Sequence, residues 1–136
     1  MKASIIISTY NSPTWLKKVL WGYSAQTEKD FEIIIADDGS TPETSNLVDR
    51  LKTETQLNII HVWHKDEGFQ KTKILNKAIL ASNSDYSIFS DGDCIPQKDF
   101  VKTHLNKREE GFFLSGGYFK LPLSISKEIT RNDIIN

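Results

Sequence analysis

Phe31-Glu32-Ile33-Ile34-Ile35-Ala36 runs straight into Asp37-Asp38-Gly39-Ser40, and Thr41-Pro42 follows. Three consecutive isoleucines place β-branched side chains on both faces of an extended chain, which suits a strand covered on both sides. Two acids and a glycine then supply turn chemistry, and a proline just past a threonine is how a helix opens. The stretch therefore reads as strand, polar turn, helix. The same grammar recurs in both directions. β-Branched runs are expected over residues 4–8, 31–36, 58–63 and 86–90, with a fifth candidate at 112–119 that contains Gly116-Gly117.

Segments of helical period lie between these runs. Trp15, Leu16, Val19, Leu20 and Tyr23 share one face after Ser12-Pro13, with Ser12 as the expected N-cap. Leu47, Val48 and Leu51 follow Thr41-Pro42, where Ser40 and Glu43 have capping-box spacing. A third helix is expected over about 71–82 through Ile74, Leu75, Ala78 and Ile79. A fourth follows Pro96 with Phe100, Val101, His104 and Leu105, and Gly111 is its expected stop. Strand and helix alternating at this spacing imply right-handed βαβ units. The expected fold class is α/β: a Rossmann-like three-layer α/β/α arrangement with a mostly parallel sheet.

The 136 residues bound what such a unit can be. They are enough for one core-bearing domain. With 38% hydrophobic and 26% charged residues, the composition is that of a globular chain. A formal net charge of -1 gives no basic field, so no nucleic-acid partner is expected. The single cysteine, Cys94, excludes an internal disulfide. No apolar run is long enough to span a bilayer or to form a secretory leader. The expected location is cytoplasmic, with peripheral placement at the inner face of a membrane as the alternative.

Ligands of doubly wound sheets bind at the carboxyl ends of the strands, and the polar clusters fall there. Ser8-Thr9-Tyr10-Asn11 follows the first run, Asp37-Asp38-Gly39-Ser40 the second, His64-Lys65-Asp66-Glu67-Gly68 the third, and Asp91-Gly92-Asp93 the fourth. Asp91 and Asp93 repel each other unless a cation compensates, and Gly92 allows the tight backbone that turns both to one point. Hard divalent cations such as Mn²⁺ or Mg²⁺ fit carboxylate oxygens. Asp38 is the expected ligand contact of the second loop and Asp37 its structural neighbour. Thr9, Tyr10 and Asn11 offer hydroxyls, an aromatic face and an amide beside a helix N-terminus, where backbone N–H groups suit a base or an anion. Each of these also has a plain turn or capping explanation. Lys71 and Lys73 open the third helix against its dipole, a placement that a bound diphosphate would offset. His61, His104 and the three tryptophans Trp15, Trp21 and Trp63 read as structural. Cys94 reads as a small buried residue beside the Asp91–Asp93 turn.

These four loops, with Gly68-Phe69-Gln70 leading into Leu75-Asn76-Lys77-Ala78, resemble in order and spacing the inverting family-2 glycosyltransferases over about residues 3–119. The Gly68–Gln70 loop and the turn at Asp91 are most similar to the bacterial polysaccharide enzymes of the chondroitin-polymerase type. The resemblance implies the glycosyltransferase A fold, transfer from a nucleoside-diphosphate sugar (a UDP-sugar by analogy), and a glycan or lipid-linked acceptor. It implies that Thr9 and Asp38 contact the base, that Asp91 faces the ribose and the metal, and that Asp93 binds Mn²⁺ or Mg²⁺. Gly68, Gln70, Lys71 and Gly92 complete the expected donor-binding set. The general base of such enzymes is a carboxylate downstream of the metal motif. Glu109, Glu110, Glu128 and Asp133 lack a matching context, so it is expected outside this chain.

Residues 1–119 are thus read as a nucleotide-sugar-binding domain, and 120–136 as a polar tail that begins an acceptor-side segment. Self-association through an uncovered sheet edge is a further expectation. Other readings weigh less. A phospho-acceptor module would carry its acidic pair after the first strand. A nucleotidyltransferase would want a glycine-rich loop there. A catalytically incomplete or non-catalytic nucleotide-binding unit is the remaining alternative.

Overall fold

The computed structural model describes residues 1–136. The four apolar runs form β1 (Ala3–Thr9), β2 (Phe31–Asp37), β3 (Ile59–Trp63) and β4 (Ser87–Asp91). All pair in parallel in the order β3-β2-β1-β4. Between and after them lie α1 (Pro13–Ser24), α2 (Pro42–Thr55), α3 (Lys71–Ala81), α4 (Phe100–Lys107) and two short helices, α5 (Leu123–Glu128) and α6 (Arg131–Ile135).

Strand alternation sorts the isoleucines between two cores. Ile5, Ile7, Ile33 and Ile35 pack with Leu16, Val19, Leu20, Tyr23, Val48 and Leu51 of α1 and α2, and with Val101 of α4. Ile6, Ile34 and Ala36 point the other way, against Ile74 and Ala78 of α3. Three layers result, as the unalternated strands require. α3 covers β1 to β3, and Phe89, in register with Ile6 on β4, is left 54% exposed.

The opposite end of the sheet is fixed by a buried carboxylate. Glu32 is fully buried and accepts from Ser4 Oγ at 2.7 Å, Asn83 N at 2.7 Å and Asn83 Nδ2 at 3.0 Å. Burial pushes its pKa up, but these donors outweigh it and hold the group below the ordinary value.

Some expectations fail. Residues 112–119 form no strand; they are exposed and irregular. A strand needs a partner edge, and the consecutive glycines raise the entropy cost of extending. α4 ends at Lys107, before Gly111, which sits in a turn beyond it. Neither Ser12 nor Thr41 makes a side-chain cap bond. Ser40 Oγ instead accepts from Asn11 N at 2.8 Å, and Asn11 Oδ1 accepts from Thr41 N at 2.9 Å. The cap of α2 thus comes from the neighbouring strand-end loop. Trp63 is 52% exposed and not core, its Nε1 donating to Ser40 O at 3.0 Å. Cys94 is half-buried. In the tail, α6 packs on α1, and Lys18 Nζ donates to Ser126 O at 2.7 Å and Lys127 O at 3.2 Å at the end of α5.

Candidate active site

Parallel register brings the strand ends level: Thr9 pairs with Asp37, and Ser8 with Asp91. Beyond that line the chain opens a cleft of about 610 Å³. Of the expected residues, Thr9, Tyr10, Asp38, Gly68, Lys71, Asp91, Gly92 and Asp93 line it. Asn11, Gln70 and Lys73 do not. Asn11 is spent on the cap just described, at φ 45°. Gln70 contributes its backbone, N–H donating to Asp38 Oδ2 at 2.9 Å.

The turn after β4 is seated on β1. Gly92 N donates to Ser8 O at 2.8 Å, and Ser8 Oγ donates to Asp91 Oδ1 at 2.9 Å. A Cβ on Gly92 would lie 2.9 Å from Ser8 O, so only glycine allows this approach. Lys71 Nζ lies 3.2 Å from Asp91 Oδ1, which offsets part of the acidic charge. Asp91, Asp93 and Cys94 place ligand atoms within 4.8 Å of one another. Carboxylate oxygens held this closely, open to solvent and with room beside them, fit a hard divalent cation. Burial and the Asp93 carboxylate push the Cys94 thiol pKa up.

The two neighbouring acids at the end of β2 and the start of its turn differ in use. Asp37 is fully buried, its Oδ1 accepting from Ser40 N at 2.9 Å and its Oδ2 facing His61 Nε2 at 2.8 Å. Burial raises its pKa, but the bonds from His61 and Ser40 outweigh that and hold it below the ordinary carboxylate range. It is structural. Asp38 faces the cleft, with Oδ1 2.6 Å from His64 Nε2. Thr9 Oγ1 is buried without any hydrogen-bond partner and stands against Gly92. Such an orphan costs stability unless a ligand satisfies it. Across the mouth, Tyr10 Oη donates to Asp66 Oδ2 at 2.6 Å, which raises the Tyr10 pKa and lowers that of Asp66.

Sequence reasoning took Trp15 as structural and did not select Asp66 or Phe69 as site residues, although it placed both in the loop after the third strand; all three line the cleft. Trp15 is half-buried at the cleft rather than core, Lys18 Nζ lying 5.2 Å from its ring centroid. Phe69 is 86% exposed at the rim. Proximity to a polar strand-end loop was the available signal for all three. The pairing of His61 and His64 with Asp37 and Asp38 had none, because it joins two strands.

The model of the family described as glycosyl transferase family 2 matches residues 4–119. The chondroitin synthase of Escherichia coli is 34% identical over 103 residues, 75% of this chain and 15% of that protein. The crystal structure of Staphylococcus aureus TarS 1–349 superposes with a TM-score of 0.70 at 26% identity, covering 78% of this chain and 32% of that one. TarS is described as a poly(ribitol-phosphate) β-N-acetylglucosaminyltransferase. A mannosyltransferase of Pyrobaculum calidifontis, solved with GDP-Man and Mn²⁺, shares the fold at a TM-score of 0.68 and 24% identity, over 76% of this chain and 31% of that one. The chain spans 15–31% of the length of curated relatives it matches. No helix is long and apolar enough to cross a membrane.

Proposed function

This chain belongs to glycosyl transferase family 2, and we propose that its cleft binds a nucleoside-diphosphate sugar and gives up the sugar, with inversion, to a hydroxyl of a glycan or lipid-linked acceptor. The observation that carries the reading is the convergence of Thr9, Asp38, Lys71 and the Asp91–Asp93 pair on one cleft at the carboxyl edge of a parallel sheet. The transferred group is a hexose or N-acetylhexosamine and the nucleotide UDP. The names of the relatives support this: a chondroitin synthase and an N-acetylglucosaminyltransferase. Residues 1–119 are the donor-binding domain, a bound that the family match over 4–119 supports.

In this reading Asp93 and Asp91 hold Mn²⁺ or Mg²⁺. The cation would supply positive charge to the diphosphate as it leaves. The chain's own groups do the rest. Asp38 accepts from the base, and the Thr9 hydroxyl gains the partner it lacks. Lys71 stands beside Asp91, where its ammonium can reach a diphosphate oxygen and lower the cost of the developing negative charge. Tyr10, Gly68 and Gly92 shape the walls. The acceptor oxygen forms a bond to the anomeric carbon from the face opposite the leaving group. The bond from that carbon to the phosphate oxygen breaks, and the pair leaves with the nucleotide. The base that takes the acceptor proton is expected outside these residues.

Calorimetric titration of UDP and UDP-sugars, with and without Mn²⁺, tests the proposal. Metal-dependent binding is expected, and Asp93→Asn should abolish it. Asp93 is exposed, so the variant should melt within about 1 °C of the parent. Silence from UDP and GDP alike, with and without metal, would refute the reading.

A further inference from the structure

Asp38 is the cleft acid whose orientation is set from behind. His64 and Asp38 are each only 10% exposed in their side chains, and His64 Nε2 lies 2.6 Å from Asp38 Oδ1. The other ring nitrogen, Nδ1, lies 3.4 Å from Lys77 Nζ on α3. An ammonium facing Nδ1 disfavours a proton on that nitrogen. With Nδ1 facing an ammonium and Nε2 facing a carboxylate, the ring places its N–H on Nε2 and donates it to Asp38. Gln70 N occupies Oδ2 at 2.9 Å. Lys77, His64 and Asp38 thus form a one-way chain of donors that ends on a carboxylate able only to accept.

We propose that His64, its tautomer set by Lys77, is a positioning residue that aims Asp38 at the donor's nucleobase and makes the cleft favour bases with a ring N–H over bases whose ring nitrogens only accept. This rests on the reading of the cleft as a nucleotide site. Uracil and guanine present such an N–H; cytosine and adenine do not. Without His64, the Asp38 carboxylate keeps the bond from Gln70 N but loses the second one that fixes its rotamer. A histidine that merely stabilised the fold would change affinity for all bases alike.

The test uses the full chain with Mn²⁺ and titrates UDP against CDP, and GDP against ADP. His64→Leu should weaken the preferred one of UDP and GDP about ten-fold, the scale of one charged hydrogen bond, and leave CDP and ADP within about two-fold. His64→Gln, whose amide N–H can take the place of Nε2–H, should recover most of the loss. Lys77→Met, at an exposed position, should shrink the preference by about two- to three-fold. Binding of Mn²⁺ with inorganic pyrophosphate should be the same in all variants. A base preference unchanged in His64→Leu, or no recovery in His64→Gln, overturns the inference while leaving the nucleotide site standing. Should His64→Leu fail to fold, an unchanged preference in Lys77→Met overturns it. Failure of the parent chain to bind UDP and GDP removes both readings together.

Discussion

Gly92→Ala is the substitution whose consequence follows most directly from the geometry. The new methyl would sit 2.9 Å from Ser8 O and 3.3 Å from Thr9 Cβ and Oγ1. Comfortable contacts to carbon begin near 3.5 Å, so the overlap with Ser8 O is about half an ångström. Ser8 O cannot retreat, because it belongs to an inner strand paired on both sides and accepts from Gly92 N at 2.8 Å. The turn must therefore lift off β1, stretching that bond and carrying Asp91 and Asp93 with it. Overpacking of this kind costs about 1–3 kcal/mol, which lowers the melting midpoint of a chain of this size by roughly 3–10 °C. A shift of a few tenths of an ångström in the two carboxylates proposed to hold the metal should also weaken Mn²⁺-dependent UDP binding by about ten-fold or more. Differential scanning calorimetry and titration calorimetry read the two effects. Gly116→Ala, where a Cβ meets nothing within 4 Å, is the control and should change neither. A Gly92→Ala chain that melts with the parent, or loses stability with UDP affinity intact, would refute the claim that this contact sets the carboxylates.

Thr9→Val replaces an unpartnered buried hydroxyl with a methyl of the same shape. It should leave stability unchanged or raise it by up to about 1–2 kcal/mol while weakening nucleotide binding, read by denaturant melts and calorimetry; a destabilised variant would mean that the hydroxyl has an internal partner. Glu32 has a pKa held below its ordinary 4.5, so its contribution to stability is complete above that value and is lost as pH falls through the lower folded value. Urea titrations across that range should show stability falling with acid, and Glu32→Gln should be less stable near neutrality with a shallower acid limb. An unchanged limb would assign the loss to the other depressed carboxylates, Asp37 among them.

The sheet was legible because its signal is local. Each of the four runs met its observed strand to within a residue at either end; in β1 and β2 an isoleucine triplet leaves an extended chain few alternatives, and in β3 and β4 short apolar runs end at polar loops. Pro13 and Pro42 likewise marked the starts of α1 and α2. The strand-end rule then placed most of the candidate residues on one cleft without any knowledge of side-chain geometry. Legibility ended where a group's partner lies far along the chain. Residues 112–119 have strand-like composition, but pairing depends on an available edge, which composition does not encode. Trp15 fits the apolar stripe of α1 by period, yet sits at the helix start, where the stripe runs out into the cleft.

The acidic pair shows the same boundary at finer scale, and why it matters for function. Asp37 and Asp38 are adjacent and chemically alike, so sequence gives only a weak reason to separate them. What separates them is the end of β2: Asp37, its last residue, is buried in the protein, and Asp38, the first residue of the turn, faces the cleft. β3 and the loop that follows it answer both, with His61 and His64 meeting successive acids at 2.8 and 2.6 Å. Two histidines bonded to two carboxylates stiffen the chain where it leaves β2. The proposed reading of a nucleobase would need that stiffness, because a carboxylate free to rotate would lose the directionality on which hydrogen-bond selectivity rests. Replacing His61 should therefore cost stability through Asp37 and leave base preference alone, whereas replacing His64 should cost preference first.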